Sequence, residues 1–173
     1  MNRVILQLGG NRGNVEKNFT EAIAILEAKA GMIVLKSSLY ETEPWGFADK
    51  RWFLNQVVEL QTYLSAMDLL KITQDIEREL GRIVKKSEWL YEGRPIDIDI
   101  LYFNDEIIHT NNLMIPHPHI RYRKFVLDPL CDYWGDYEHP EFGLTNEELR
   151  NSCDDCCVVR KHQLDKGTAV AQR

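Results

Sequence analysis

The chain has 173 residues, enough for one domain or one domain with a tail. Hydrophobic residues make up 44% and charged residues 28%, the balance of a soluble globular protein with a real core. A net charge of −6 gives no general attraction for nucleic acid or an anionic membrane, no run is long enough to span a bilayer, and Met1 to Leu6 lacks the apolar region of a signal peptide, so the chain reads as cytoplasmic.

Arg3 to Leu8 reads as a first strand. The stretch Gly9-Gly10-Asn11-Arg12-Gly13-Asn14 should break it as a turn. A glycine-rich loop before a helix can approach a phosphate, but this one matches neither the Walker nor the dinucleotide pattern. Asn14 is placed to cap a helix over 15–30, with Phe19, Ala22, Ile23 and Leu26 on one side and Gly31 as its stop. Residues 32–40 predict a second strand. The loop 41–51 holds Pro44-Trp45-Gly46-Phe47, aromatics that either cap the core or close over a flat ligand. Residues 53–63 predict a third strand, with Asn55 at its start as a turn remnant or a reader of a ligand edge. Ser65 caps a helix over 66–80, on which Gln74 and Glu77 are three apart, and Gly81 ends it.

The stretch from Arg82 to Gly93 is basic and aperiodic, with Lys85, Lys86, Trp89 and Tyr91, and such a stretch favours a functional loop. It leads into Arg94-Pro95-Ile96-Asp97-Ile98-Asp99-Ile100-Leu101-Tyr102. Period two puts Ile96, Ile98, Ile100 and Tyr102 on one side and Asp97, Asp99 and Leu101 on the other. Two carboxylates roughly 6.6 Å apart on one strand face repel and call for a positive partner. Mg²⁺ arriving with substrate phosphates is one answer; solvated acids, or a pair answered by Arg94, are the others. After a turn at 103–106, residues 107–109 predict a short return strand and 111–116 an irregular segment. Prolines around His117 and His119 present His117 rigidly. Residues 122–133 predict a helix interrupted by Pro129, and Thr145 to Glu148 opens a short helix. Cys131, Cys153, Cys156 and Cys157 read as reduced thiols, since zinc would need a second ligand pair. Residues 1–135 form the expected core domain, and 136–173 an extension ending in a frayed tail from 164. The order β-α-β-β-α-β predicts an α+β, ferredoxin-like antiparallel sheet with two helices on one face.

Several pieces recur together: Leu8-Gly9-Gly10-Asn11, Tyr40-Glu41-Thr42-Glu43-Pro44, Phe53-Leu54-Asn55, Gln74 with Glu77, Gly81-Arg82, Trp89, the segment 94–100, Pro116-His117, and Arg123 through Phe125 to Pro129. In this order and spacing the chain resembles the 6-hydroxymethyl-7,8-dihydropterin pyrophosphokinases of folate biosynthesis. The resemblance implies transfer of pyrophosphate from ATP to the pterin hydroxymethyl group, with release of AMP. It implies that Asp97 and Asp99 hold two Mg²⁺ ions, and that Arg82, Arg94 and Arg123, with His117, contact the phosphates, Arg82 and Arg94 as the catalytic cations. Gln74, Glu77, Trp89 and Ile100 would meet the nucleotide. Phe53 and Phe125 would stack on the pterin, Asn55 and Thr42 read its edge beside Glu43 and Pro44, and Trp45 pack against it. The implied partners are the two substrates, with the chain acting as a monomer. Val84 departs from the family, which often has a second loop arginine there; Lys85 or Lys86 would have to substitute. Pro118 and Asn112 depart from an aromatic and a basic residue. Two other readings remain at this point: a ferredoxin-like RNA-binding module using Trp45, Phe53 and Phe125 as stacking platforms, and a D-x-D metal enzyme acting on another substrate.

Overall fold

The computed structural model describes residues 1–43, 51–81 and 93–163. Eight strands are seen among these: β1 (Asn2–Gly10), β2 (Gly31–Lys36), β3 (Tyr40–Thr42), β4 (Phe53–Thr62), β5 (Asp97–Phe103), β6 (Ile108–His109), β7 (Met114–Ile115) and β8 (Val159–Lys161). The helices are α1 (Val15–Lys29), α2 (Ala66–Glu79), α3 (Lys124–Leu130) and α4 (Asn146–Asn151). The main sheet runs β5-β1-β4-β3-β8, with β2 on the remaining length of β4, and every pairing is antiparallel. β6 and β7 pair with each other as a separate ribbon.

Local chemistry starts the helices where their polar caps predict. The Asn14 side chain accepts the Lys17 N–H at 3.0 Å, and Ser65 accepts that of Asp68 at 3.2 Å. Thr145 and Glu148 form a reciprocal capping box on α4. α1 and α2 bury Phe19, Ala22, Leu26, Leu69 and Ile76 against Leu6, Leu8, Val58, Leu60, Ile98 and Ile100 on one sheet face. The other face carries a second core, in which Val126, Leu127, Leu130, Trp134 and Leu149 meet Ile5, Val57, Leu101 and Tyr102. The pair of helices on one face is as expected; the helical cover on the opposite face was not. It comes from the later chain, so residues expected as an extension supply Leu149 to a core and β8 to the sheet edge. The expected tail from 164 lies outside the described residues.

Five local expectations are corrected. Gly9 and Gly10 do not leave the first strand but extend β1, where Gly9 lies opposite Asn55 and Asp97. A side chain at Gly10 would stand 2.6 Å from the Pro95 carbonyl oxygen, so glycine is there for close approach rather than for a turn. The expected strand over 32–40 is two strands. Its register on β4 slips between Ile33 and Leu35, and again before Tyr40. The first slip turns Leu35 toward the second core while Ile33 packs on the first. A similar slip where β5 crosses Ile5 and Leu6 of β1 sends Tyr102 to the Leu101 side, not to the isoleucine side. The return strand β6 pairs with β7 rather than with β5, so the segment thought irregular contains a strand. Finally, α3 runs through Pro129 and is preceded by a 3₁₀ turn at Ile120–Tyr122. Proline withholds the N–H that the Phe125 carbonyl would otherwise receive, and the Gln7 side chain donates to that carbonyl instead at 3.4 Å.

Candidate active site

Register across the sheet assembles the site. Asp97 lies opposite Gly9, Gly9 opposite Asn55, and Asn55 opposite Tyr40, so one row crosses four strands. One step along, Asp99 faces Gln7 and Gln7 faces Val57. Residues two apart share a face, so Asp97, Asp99, Gln7, Asn55, Thr42 and Phe53 all lie on the face that α3 covers. Asp97 and Asp99 are half-buried there. Asp97 accepts a 2.6 Å charge-assisted bond from the Arg94 guanidinium. The Arg94 backbone is itself held at both polar groups. Its N–H donates to the Asn11 side-chain oxygen at 2.9 Å, and its carbonyl accepts the Asn11 N–H at 2.9 Å.

The amide end is a buried polar chain. Asn55 donates to the Thr42 hydroxyl at 2.9 Å and accepts from Gln7 Nε2 at 3.3 Å. Thr42, Asn55 and Gln7 are only 2%, 3% and 5% exposed, so this network, not water, sets the orientation of the Asn55 amide. An amide has two donors and two acceptor sites, so one bond at each end leaves capacity for a ligand edge. Gly9 separates this amide from Asp97, and a Cβ there would stand 3.3 Å from Asn55 Oδ1. Gln7 was missed in the sequence. The available signal was a glutamine inside Val4-Ile5-Leu6-Gln7-Leu8, a place where burial demands a partner.

α3 and the turn before it supply the flanking wall. Arg123 is the N-cap of α3, and its guanidinium lies 5.6 Å from the centre of the Phe125 ring. Phe125 and Phe53 are both partly buried. The His117 N–H donates to the Leu101 carbonyl at 2.9 Å, which fastens this turn to β5. The ring Nδ1 of His117 accepts the His119 N–H at 3.2 Å. Burial first, then the Arg123 and His119 charges, push the His117 pKa down to about 4. His117 is therefore a neutral ring whose Nε2 carries the proton, a donor without a charge.

The residues expected to meet a nucleotide divide. Glu77 is buried and accepts the Ile98 N–H at 2.7 Å, which satisfies the outer edge of β5. By alternation Ile100 turns its backbone N–H and C=O to that same edge, while its side chain is buried in the first core, so a nucleotide would meet its backbone. Gln74 is exposed on α2. Glu43 follows β3 directly and is partly buried. Pro44, Trp45, Arg82, Val84, Lys85, Lys86 and Trp89 lie outside the described residues. Among the described residues no group of three or more histidine, cysteine or acidic side chains is disposed to hold a metal, so Asp97 and Asp99 offer two carboxylates and no closed cage. No described helix is long and apolar enough to cross a membrane.

Comparison with known proteins identifies the family. The family model for 7,8-dihydro-6-hydroxymethylpterin-pyrophosphokinase (HPPK) matches residues 5–134. The chain is 43% identical over 144 residues to a 2-amino-4-hydroxy-6-hydroxymethyldihydropteridine pyrophosphokinase of Porphyromonas gingivalis, covering 83% of this chain and 97% of that one. A protein of the same name from Bacillus subtilis is 44% identical over 132 residues, 76% of this chain and 77% of that one. The fold is shared with wild-type Plasmodium falciparum HPPK-DHPS, crystallised with pteroate, at a TM-score of 0.71 and 19% identity over 87% of this chain. The present chain spans only 44% of that longer protein.

Proposed function

Because this chain belongs to the 7,8-dihydro-6-hydroxymethylpterin-pyrophosphokinase family, we propose that the sheet face carrying Asp97, Asp99, Asn55 and Thr42 is where it runs the family reaction. That reaction moves pyrophosphate from ATP to the hydroxymethyl group of the dihydropterin and releases AMP, a step of folate biosynthesis. The supporting observation is the row Asp97–Gly9–Asn55. It puts a carboxylate end and an amide end on one face with only a glycine between them.

In this reading the phosphates lie over Asp97 and Asp99, and the pterin over Asn55 and Thr42 between Phe53 and Phe125. The two carboxylates fit Mg²⁺: they are hard oxygen donors, too few to complete an octahedral shell without phosphate and water. Two Mg²⁺ ions, when bound, would spread the charge that builds on the triphosphate and make the pterin hydroxyl more acidic. The chain's own residues do the remaining work. Arg94, its backbone fixed by Asn11 and its guanidinium beside Asp97, presents a planar fork that matches phosphate oxygens. Arg123 adds a second fork, and His117 a neutral donor that binds an anion without competing for its protons. The Asn55 amide, held by Gln7 and Thr42, fixes the pterin edge and so aims the hydroxyl at the β-phosphorus. The backbone edge at Ile100 suits an adenine. Glu77 on α2 acts by fixing Ile98, and Gln74 lies three residues before it on the same helix. Arg82, Trp89, Glu43, Pro44 and Trp45 keep the roles that the resemblance implies, Arg82 as a further catalytic cation. The chain is proposed to act as a monomer. The order β5-β1-β4-β2 supports a ferredoxin-like unit as the scaffold.

The test is AMP release from Mg-ATP with and without 6-hydroxymethyl-7,8-dihydropterin, using wild type and Asp97→Ala. Wild type should release AMP only with the pterin. D97A should lose turnover by at least about a hundredfold while melting within a few degrees of wild type. Wild-type rates in D97A would remove Asp97 from the site.

A further inference from the structure

The segment 153–162 follows the last residue matched by the family model, yet it touches both walls of the pterin cleft proposed above. On one side, the N-cap of α3 is Arg123, whose own side chain makes no capping bond. The Asp155 carboxylate does this from a distance in the chain, accepting the Lys124 N–H on one oxygen at 2.9 Å. Its other oxygen accepts the Cys157 N–H at 3.0 Å, which turns the chain toward β3. On the other side, β8 pairs with β3, setting Val159 opposite Thr42 and Lys161 opposite Tyr40. The ladder extends past both ends, with the Glu43 N–H donating to Val158 at 3.3 Å and the His162 N–H to Leu39 at 2.8 Å. Lys161 reaches Asp132, just past α3, at 3.1 Å, and the Tyr40 hydroxyl donates to the same carboxylate at 2.7 Å.

We propose that Asp155 and the strand after it are positioning elements for the pterin: one carboxylate sets where α3 starts, and so where Arg123 and Phe125 stand, while β8 fixes Thr42 against Asn55. This rests on the reading of Phe125 and Asn55 as pterin contacts. The physical reason is that neither wall is self-supporting. α3 is seven residues long and gets no capping bond from its own N-cap side chain, and β3 is three residues long. Asp155 is placed to act through Lys124, which stands between Arg123 and Phe125 on one wall, and through the turn that launches β8 to the other.

The test compares Asp155→Ala, Asp155→Asn and Phe125→Ala with wild type, varying pterin at saturating Mg-ATP and then ATP at saturating pterin, with thermal melts alongside. D155A should raise the pterin KM about tenfold, the worth of one lost cap, and move the ATP KM and kcat by less than about twofold. D155N keeps one carbonyl oxygen for the Lys124 N–H, so it should fall between, with a rise of about two- to threefold and a melt close to wild type. A pterin KM unmoved in both Asp155 variants, whatever the melts do, overturns the proposal. A raised pterin KM in F125A together with unmoved Asp155 variants overturns this proposal alone. An unmoved pterin KM in F125A overturns the pocket assignment and this proposal with it.

Discussion

Gln7 shows what a single residue decides in this molecule. It is a polar side chain in an otherwise apolar strand, and both its contacts repair something. It gives Asn55 Oδ1 a donor, and it gives the Phe125 carbonyl the hydrogen bond that Pro129 withholds. Leucine fits the space and donates nothing. Gln7→Leu should therefore cost about 1–3 kcal/mol in urea unfolding, the usual penalty for leaving buried acceptors unmet. It should also raise the pterin KM, because the Asn55 amide would no longer be held in one orientation. An unchanged midpoint and KM would show that the two acceptors are satisfied some other way. His117 makes a related point. A histidine among prolines and arginines invites the assumption of a cation, but burial beside Arg123 keeps it neutral.

Elements were legible to the extent that their causes are local. Asn14, Ser65 and Thr145 stand at helix starts because a side-chain oxygen there meets a backbone N–H a few residues on, and the sequence states this directly. Strand register is different. Val34 and Leu101 look like ordinary strand residues, and the slips beside them are imposed by β4 and β1, which no local pattern displays. The Asp97/Asp99 alternation was readable because it ends before the slip; the side taken by Tyr102 was not. β8 was invisible for the same reason: Val159–Lys161 carries little strand signal, and its partners stand far earlier in the chain. The end of that strand also carries a pH response. The His162 ring bonds to Glu41 at 2.6 Å and Glu16 at 3.0 Å, and the Glu41 bond foremost raises its pKa above the ordinary histidine value. A raised folded value means stability that is fully present below about pH 6.5 and lost as pH rises through the folded value. His162→Asn should thus lower the melting temperature more at about pH 5.5 than at about pH 8.5. An equal loss at both would show that the ring acts only by packing.

At the scale of the whole molecule, one sheet serves two cores with different duties. The α1/α2 side is scaffold, burying the isoleucines of β5 so that Asp97 and Asp99 must face the other way. The α3/α4 side is both core and wall, since Phe125 packs against it while flanking the cleft. Leu69 and Leu127 are equally buried, one in each core. Alanine at either should cost about 2–5 kcal/mol in denaturant unfolding. Only Leu127→Ala should also raise the pterin KM, because it loosens the layer from which Phe125 projects; a matching rise in Leu69→Ala would mean the cores do not divide the work. The net charge of −6 says nothing of this, because Asp97 is answered locally by Arg94.

Gly9 has a consequence for ligand design. With no side chain between Asp97 and Asn55, the separation of those two positions is set by backbone pairing alone, two strand spacings or about 9.6 Å. It is a lattice constant of the sheet, which substitution at the neighbouring side chains cannot retune. With the pterin and the phosphates lying as proposed, an inhibitor that joins a pterin head to a polyanionic tail can be built to a fixed ruler, and resistance to it would have to arise at either end rather than along the span.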